Sequence, residues 1–386
     1  MALPFIMSFH SFGLLPQLSA LLEKSSFREA TPIQAGAIPA VLAGRDVLGI
    51  ARTGSGKTAS YVLPILQNMS GRALATHREP TVLVLVPTRE LADQVHHVFQ
   101  NFVAALPQMV RCRAVYGGVS INPQMKALAK VDILVATPGR LLDLVESNAV
   151  QLSAVSTLVL DEADKILNLG FQSEVNRILS LLPKKRQNLL FSATLSADLS
   201  QIQQVLLEEP VVVKIEPESQ DTELIEQVAY AVTEERKGPF LRYLLREQKM
   251  KQALIFASST FRVDAIVVKL CRNQIRAGAI HSKMAQQTRQ ITLRQFKEGL
   301  LPVLVSTDLL ARGVDIEELP YVINYELPRS PKDYIHRIGR TGRADRSGVA
   351  ISLVSPDEEH HFKVIQKKMK KRVPLIDTGE MDLNGF

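Results

Sequence analysis

The sequence predicts two α/β domains in tandem, each with a parallel sheet covered by helices on both faces. Short, nearly continuous apolar runs alternate with amphipathic segments along the whole chain, which is typical of buried parallel strands joined by helices. This alternation stops once, in the acidic and polar residues 214–227, and then restarts. At 386 residues, the chain is also longer than one typical hydrophobic core supports.

Five apolar runs predict the strands of the first domain. They are Asp46–Ala51, Thr81–Pro87, Asp132–Pro138, Thr157–Ala163 and Asn188–Thr194. A helix-like pattern follows each run, and in residues 89–106 the apolar side chains recur at helical spacing. Residues 214–227, which contain Pro217, are expected to form a linker.

Five further runs predict the strands of the second domain. They are Gln252–Ser259, Ile275–Ser282, Leu301–Asp308, Tyr321–Leu327 and Gly348–Ser355. No repeat of individual residues relates this half to the first. A short basic helix is expected next, followed by a frayed tail at residues 374–386.

Composition is that of an ordinary globular protein, with 46% apolar and 22% charged residues. No apolar run reaches the roughly 18 residues of a membrane span, and the N-terminus lacks the basic region of a signal peptide. Cys112 and Cys271 form no CxxC pair, which argues against a zinc site or a disulfide framework. We therefore expect a cytoplasmic protein without membrane contact. Its net charge of +7 is compatible with a polyanionic partner but does not establish one.

A phosphate-binding loop is indicated by ARTGSGKT, residues 51–58, between the first predicted strand and a helix. Glycines allow backbone N–H groups to converge on phosphate oxygens, and the helix N-terminus adds positive potential. Lys57 is expected to contact the β- and γ-phosphates, and the Thr58 hydroxyl is expected to bind Mg²⁺. Ala51 replaces the first glycine of the general pattern. An ordinary turn before a helix is the alternative, but strand, loop and helix occur in the required order.

Three carboxylates, Asp161, Glu162 and Asp164, follow the apolar run that ends at Leu160. Ligands of parallel α/β sheets bind beyond the carboxyl ends of the strands, where the phosphate loop is also expected. Asp161 is therefore predicted to hold Mg²⁺ through water, and Glu162 to orient or deprotonate an attacking water. A solvated acidic turn is the alternative.

These residues and further motifs resemble the DEAD-box RNA helicases of superfamily two. The compact form of the chain is similar to the RhlE-like bacterial members of that family. The resemblance covers almost the whole chain and implies two RecA-like domains. The matching segments, in family order, are SFREATPIQ (26–34), PTRELADQ (87–94), GG (117–118), TPGR (137–140), SAT (192–194), LIFASS (254–259), QQTR (286–289), STDLLARGVDI (306–316) and HRIGRTGR (336–343).

The resemblance implies which residues bind the nucleotide. Gln34 would recognise adenine, because an amide both donates and accepts hydrogen bonds, and Phe9 would stack on the base. The implied ATP-binding residues are Phe9, Gln34, Thr53, Gly54, Ser55, Gly56, Lys57, Thr58, Gly313 and Asp315, with Thr58 and Asp161 for the metal. Arg340 and Arg343, spaced i, i+3, are expected to share a helix face and to stabilise charge at the γ-phosphate. The catalytic set is then Glu162, Asp161, Lys57, Arg340 and Arg343.

The resemblance also implies contacts to RNA. The expected RNA-binding residues are Thr88, Arg89, Gly118, Thr137, Gly139, Arg140, Arg289 and Thr307. Hydroxyls, arginines and glycine N–H groups suit phosphates and sugars, so binding independent of base sequence is predicted. Asp164, Ser192, Thr194 and His336 are expected to couple RNA binding to ATP hydrolysis, with Asp164 bonded to the SAT segment or to His336.

The predicted function is RNA-stimulated ATP hydrolysis coupled to local unwinding of short RNA duplexes by a monomer. The predicted domains are a Q-motif region (1–35), an ATP-binding domain (36–213), a linker (214–227), a C-terminal helicase domain (228–373) and a tail (374–386). Two alternatives stay open: an ATP-gated RNA clamp in a larger particle, and a DNA-directed helicase. Ribosomal or RNA-decay proteins are candidate partners.

Overall fold

The structure, a computed structural model, describes residues 7–24, 29–52, 54–71, 78–195, 197–215, 225–308, 319–342 and 348–386. Four predicted site residues lie outside these ranges: Thr53, Gly313, Asp315 and Arg343. Most of the predicted linker lies outside them too. The chain divides into two compact units, Met1–Pro217 and Glu218–Phe386. The domain boundaries drawn from the sequence stay a prediction.

The first unit has nine described strands and nine described α-helices. Its strands are β1 (Met7–Ser8), β2 (Glu29–Ala30), β3 (Val47–Ile50), β4 (Val82–Leu85), β5 (Cys112–Val115), β6 (Ile133–Ala136), β7 (Thr157–Leu160), β8 (Gln187–Ser192) and β9 (Val211–Lys214). Its helices are α1 (Pro16–Lys24), α2 (Pro32–Leu42), α3 (Lys57–Met69), α4 (Arg89–Val103), α5 (Ile121–Ala127), α6 (Pro138–Glu146), α7 (Ala163–Asn168), α8 (Gln172–Leu181) and α9 (Ala197–Leu206). A 3₁₀ turn spans Phe9–Phe12.

Seven of these strands form one parallel sheet in the order β5-β6-β4-β7-β8-β3-β9. Successive side chains of a strand point to opposite faces, so the sheet separates two hydrophobic cores. In β7, Val159 contributes to one core, whereas Leu158 and Leu160 contribute to the other. All five predicted strands are confirmed, and burial on both faces explains why they read as continuous apolar runs.

The second unit is built in the same way. Its strands are β10 (Ile225–Ala231), β11 (Ala253–Phe256), β12 (Ala277–Ile280), β13 (Val303–Ser306), β14 (Tyr321–Asn324), β15 (Gly348–Val354) and β16 (Leu375–Asp377). Its described helices are α10 (Glu234–Glu247), α11 (Thr260–Arg272), α12 (Gln286–Lys297), α13 (Pro331–Ile338) and α14 (Glu359–Met369), with a 3₁₀ turn at Pro356–Glu358.

Its parallel sheet has the order β12-β13-β11-β14-β15-β10-β16. If the seven sheet strands of each unit are numbered along the chain, both sheets have the order 3-4-2-5-6-1-7. The two units therefore repeat one topology without repeating their residues. The five strands predicted here are confirmed, together with the fold class.

The prediction of a frayed tail is wrong. Residues 375–377 pair in parallel with β10 and form the seventh strand of the sheet. The Thr378 hydroxyl donates to the Ala231 carbonyl at 2.6 Å, and the Phe386 ring contacts the Tyr243 ring, with centroids 5.3 Å apart. Backbone pairing and the buried Thr378 thus order a segment whose apolar run, Leu375 and Ile376, is too short to read as a strand. Among the described residues, no helix is long and apolar enough to cross a membrane.

Candidate functional site

The phosphate loop joins β3 to α3, as predicted, and its backbone requires glycine at residue 56. Gly56 has a φ of +90°, a conformation that residues with a Cβ rarely adopt. A Cβ at Gly56 would also lie 2.4 Å from Nε2 of Gln34. Gly54 and Ser55 precede it, and α3 begins at Lys57. The loop therefore ends at a helix N-terminus, the geometry that favours a bound anion.

Lys57 is buried beneath this loop. Its Nζ donates to the carbonyl oxygens of Ala51, at 2.5 Å, and Arg52, at 3.0 Å. Burial lowers the pKa of the ammonium, and the nearby Asp161 carboxylate opposes that shift. The lysine and the predicted metal ligand are thus close enough to interact electrostatically in one site.

Gln34 is buried and tied to the phosphate loop. Its Oε1 accepts from the Thr31 N–H at 2.9 Å, and its Nε2 donates to the Gly56 carbonyl at 3.2 Å. The Thr31 hydroxyl donates to the Ser55 carbonyl at 2.8 Å. These bonds fix the start of α2 against the loop. The adenine contact predicted for Gln34 stays a prediction.

Phe9 lies in the hydrophobic core of the first unit. It is 3% exposed, and its ring contacts Phe12 edge to face, with centroids 5.9 Å apart. In this structure its ring is packed rather than open to a base. Adenine stacking by Phe9 therefore stays a prediction.

Asp161 follows β7 at the carboxyl end of the sheet and is buried. Its Oδ1 accepts from the Glu162 N–H, and its Oδ2 accepts from the Tyr61 hydroxyl, both at 2.8 Å. Burial raises the pKa of the Asp161 carboxyl, and Lys57 opposes the shift. The carboxylate is thus held in one orientation by two donors.

Sequence reasoning missed Tyr61. It is fully buried on α3, one turn after Lys57, so the two side chains share a helix face. Burial and the adjacent Asp161 raise the pKa of Tyr61 well above its usual value, whereas a hydrogen bond with the Thr58 side chain opposes the shift. Tyr61 therefore interacts with both predicted metal ligands, Thr58 and Asp161. The i, i+4 spacing from Lys57 was the signal available in the sequence.

Glu162 occupies the N-cap of α7 with a φ of +50°, an uncommon backbone conformation for a residue with a side chain. Its Oε1 accepts from Lys165 Nζ at 2.7 Å. Its Oε2 is buried without a hydrogen-bond partner among the described residues. Burial raises the pKa of Glu162, and Lys165 opposes the shift. One carboxylate oxygen is therefore available to accept a hydrogen bond from water.

Asp164 makes the bond predicted to the SAT segment. Its Oδ2 accepts from the Thr194 hydroxyl at 2.7 Å, and the Ser192 hydroxyl donates to the Thr194 carbonyl at 2.8 Å. The turn after β7 is thereby joined to the turn after β8, the neighbouring strand. A direct contact thus links the acidic motif and the SAT segment.

The predicted RNA contacts of the first unit follow strands β4, β5 and β6, which are neighbours in the sheet. The Thr88 hydroxyl accepts from the Leu91 N–H at 3.3 Å and so caps α4. Arg89 Nη1 lies 2.7 Å from where a Cβ on Gly118 would stand, and the φ of Gly118 is +79°. Arg140 Nη2 donates to the Val119 carbonyl at 2.9 Å.

Two further residues of this set, Thr137 and Gly139, lie at the start of α6. Thr137 is the N-cap of the helix, and its side chain makes no capping hydrogen bond. A Cβ at Gly139 would meet no atom within 4 Å. Together with the residues above, they form one polar surface at the carboxyl edge of the sheet, in which the Thr137 and Arg140 side chains are largely buried.

The second unit places its predicted site residues in different environments. Thr307 directly follows β13. Arg289, on α12, is 2% exposed, so its guanidinium is buried instead of facing solvent. His336 lies in the last turn of α13, and Arg340 is 6% exposed.

The helix-face argument for Arg340 and Arg343 is wrong. Helix α13 ends at Ile338, with Gly339 as its C-cap, so Arg340 lies beyond the helix. Glycines at 339 and 342 interrupt the pattern, because glycine favours helix ends over helix interiors. The spacing of the two arginines therefore does not determine their relative orientation.

Arg337, which lies in the same HRIGRTGR segment, is buried and makes structural contacts. Its Nη2 donates to Asp308 Oδ2 at 2.8 Å, and its Nη1 donates to the Glu326 carbonyl at 2.6 Å. The guanidinium also lies 4.9 Å from the centre of the Phe256 ring. These contacts hold α13 against the carboxyl ends of β11, β13 and β14.

Comparison with known proteins gives the family. The model "DEAD/DEAH box helicase" matches residues 31–202, and "Helicase conserved C-terminal domain" matches residues 236–345. The DEAD-box ATP-dependent RNA helicase CshA of Bacillus cereus is 39% identical over 97% of this chain and 70% of its own length. CshA of Bacillus subtilis is 37% identical over 97% of this chain and 75% of its own length.

Solved structures agree. S. cerevisiae Dbp5 bound to RNA and ADP BeF3 is 29% identical, with a TM-score of 0.81 over 96% of this chain and 95% of that one. A DEAD box protein from Methanococcus jannaschii is 33% identical, with a TM-score of 0.53 over 96% and 99% of the two chains. With the phosphate loop, the acidic motif and two units of one topology, these matches show that the chain belongs to the DEAD-box ATP-dependent RNA helicases, which hydrolyse ATP.

Proposed function

We propose that this helicase couples RNA-stimulated ATP hydrolysis to the local unwinding of short RNA duplexes, using the residues described above. The observation that carries the proposal is the convergence of Lys57, Asp161 and Glu162 at the carboxyl edge of one sheet. Dbp5, which shares the fold, has been solved with RNA and ADP BeF3. That complex supports assigning RNA and ATP as the ligands here.

ATP binding is assigned to the loop that ends at Lys57. The hydrogen bonds of the Lys57 ammonium described above go to two neutral acceptors, the carbonyl oxygens of Ala51 and Arg52. Phosphate oxygens would provide this buried cation with anionic partners, and N–H groups at the start of α3 would add to the attraction. Gln34, fixed against the loop, is assigned to adenine.

Mg²⁺ is assigned to Thr58 and Asp161. The described residues contain no group of three or more His, Cys, Asp or Glu side chains that could hold a metal. Thr58 and Asp161 offer one hydroxyl and one carboxylate. This donor set fits Mg²⁺, which proteins commonly hold with one or two carboxylates together with substrate phosphates and water. When bound, Mg²⁺ would neutralise charge developing on the phosphate oxygens.

Glu162 is assigned to the attacking water. Its buried Oε2 has an unused acceptor position, and the Lys165 ammonium on Oε1 favours the carboxylate form that can accept a proton. A positioned carboxylate of this kind contributes about 10²–10⁴-fold in rate when it acts as a general base.

RNA is assigned to the polar surface that contains Arg89, Gly118 and Arg140, with Thr307 on the second unit. The bond between Asp164 and Thr194 is proposed to relay RNA binding to the acidic motif, and Arg340 to contact the γ-phosphate. An ATP-gated clamp would be expected to lack Glu162, which is present here. Ribosomal or RNA-decay proteins stay the candidate partners.

The test is Glu162→Gln, which keeps the shape of the side chain but removes its charge. We expect ATP and RNA affinities within about twofold of wild type and RNA-stimulated hydrolysis reduced by at least about 10²-fold. Glu208→Gln, a change of the same kind at an exposed residue, is the control and should leave hydrolysis unchanged. If Glu162→Gln hydrolysed ATP as fast as wild type, Glu162 would not activate the attacking water. If the wild-type protein hydrolysed ATP at the same rate with and without RNA, the proposed coupling would be wrong.

A further inference from the structure

A groove of about 560 Å³ lies on the second unit, between α14 and the chain that returns from it toward β16. Lys363, Lys367 and Lys370 line one side, and Arg372 lines the other. Lys363 and Lys367, spaced i, i+4, share one face of α14, and Lys370 is the C-cap residue that follows the helix. We call this feature the basic groove.

The charge of the basic groove is strongly unbalanced. Five cationic residues line it, the four above and Lys371, against one carboxylate, Glu359. Lys371 Nζ donates to the Ile225 carbonyl at 3.3 Å. The other four cations are exposed and form no ion pair with any carboxylate in the part of the chain that the structure describes.

The wall opposite the helix is fixed by hydrogen bonds. The chain reverses at Lys370, which has a φ of +55°. Gln366 Oε1 then accepts from the Val373 N–H at 2.7 Å, and Leu375 enters the sheet as the first residue of β16. The two sides of the groove are therefore held at a set separation by the fold.

The floor of the basic groove is apolar. Phe362 and Val373 are buried at its base, and Pro374 and Leu375 are exposed at its rim. Cationic walls over an apolar floor suit a nucleotide strand, because phosphates pair with the lysines while bases lie on carbon. A groove of this size is also in the range typical of ligand sites.

Lysines near a helix C-terminus have a simpler explanation, since they interact favourably with the helix dipole. That explanation covers Lys367 and Lys368, which lie in the last turn of α14, and Lys370, which is its C-cap residue. It does not cover Lys363, which is nearer the start of the helix, or Arg372, which is beyond it. Nor does it explain why these four side chains line one groove while Lys368 does not.

The basic groove is far from the RNA contacts assigned to this unit. Thr307 follows β13, whereas the groove borders β16, and five strand-to-strand steps separate these two strands. At a strand spacing of about 4.8 Å, the separation is about 24 Å across the sheet. A ligand in the groove is therefore outside the site already described.

We propose that the basic groove binds the phosphates of single-stranded RNA as a second anchor, beyond the motifs shared with the family. This inference rests on the proposed function, because it takes RNA as the ligand. A second anchor about 24 Å away adds affinity only for strands long enough to reach it. The groove should therefore matter for long RNA and not for short RNA.

The experiment compares the full-length wild type with a Lys363→Gln, Lys367→Gln, Lys370→Gln triple variant. Affinities for single-stranded RNAs of about 8 and about 40 nucleotides are measured at several salt concentrations with a non-hydrolysable ATP analogue. We expect the triple variant to bind the long strand about tenfold more weakly at low salt. Its slope of log affinity against log salt should become shallower by about 2, because each phosphate that a lysine neutralises adds about 0.7 to that slope. Affinity for the short strand should not change.

Two control variants make the comparison specific. Lys251→Gln, Lys269→Gln, Lys368→Gln removes three exposed charges from the same unit but outside the groove, and should bind both strands like wild type. The Lys363→Arg, Lys367→Arg, Lys370→Arg variant keeps the charge and should preserve long-strand affinity. Long-strand binding that is unchanged in the glutamine variant, or equally weakened in the outside-groove variant, would overturn the proposal. RNA-stimulated hydrolysis with the short strand reports separately on the proposed function.

Discussion

At the scale of single residues, Tyr61 is the clearest addition to the predicted site. Its hydroxyl donates to Asp161 and interacts with the Thr58 side chain, and its ring contacts the rings of Phe99 and Phe191. Tyr61→Phe should keep this packing and leave Asp161 Oδ2 without its buried donor, at a cost of about 1–3 kcal/mol. Because Asp161 is then less well oriented, we expect half-saturation with Mg²⁺ to require several-fold more of the ion. A Mg²⁺ titration of fluorescent ATP-analogue binding measures this.

Tyr116→Phe is the matched control for Tyr61→Phe. Tyr116 lies in the same unit and its hydroxyl also donates to a carboxylate, Asp93 Oδ2, at 3.2 Å. Asp93 is not an assigned metal ligand, so this variant should keep the Mg²⁺ requirement of wild type. An identical titration curve for wild type and Tyr61→Phe would show that the phenol does not orient the metal site.

The sequence was informative about residues whose role depends on local geometry. Lys57 follows the loop after β3, and Asp161 follows β7. Both were predictable because parallel strands bring their carboxyl ends to one edge of the sheet. Phe9 and Arg289 differ, since both are buried, and burial depends on packing from distant segments. Arg340 was misjudged because a helix end at Ile338 is set by the glycine that follows, not by the spacing of arginines.

At the scale of elements, most strands inside each sheet were predictable, whereas three of the four edge strands, β5, β9 and β16, were not. Interior strands such as β7 are buried on both faces and give unbroken apolar runs. The edge strands β5, β9 and β16 are partly exposed, with polar residues such as Arg113 and Lys214 in them. Their register depends on pairing with a neighbour that is distant in the chain, a relationship that no local pattern contains.

The C-terminal strand is expected to stabilise the second unit. Removing residues 375–386 deletes β16, its pairing with β10 and the partly buried side chains of Met381, Leu383 and Phe386. The loss of this apolar burial and of the hydrogen bonds should lower the free energy of unfolding of this unit by about 3 kcal/mol. Hydrogen exchange of the α10 and β10 amides measures it. Glu380→Ala, at an exposed residue of the same segment, should change little, and equal protection in the truncated chain would show that the tail adds no stability.

At the scale of the whole molecule, the net charge of +7 attracts any nucleic acid, so preference for RNA must come from particular contacts. The surface around Thr88, Arg89 and Arg140 offers hydroxyl and guanidinium groups suited to sugars and phosphates, and the 2′-hydroxyl is present only in RNA. Losing two 2′-hydroxyl hydrogen bonds, at about 0.5–1.5 kcal/mol each, should weaken DNA binding about tenfold. Both ligands should have similar salt slopes, because their phosphates are the same. ATPase stimulation is titrated with RNA and DNA strands of one sequence at two salt concentrations, which gives the relative affinities and the salt slopes. DNA stimulation as strong as that by RNA would identify a helicase without RNA preference.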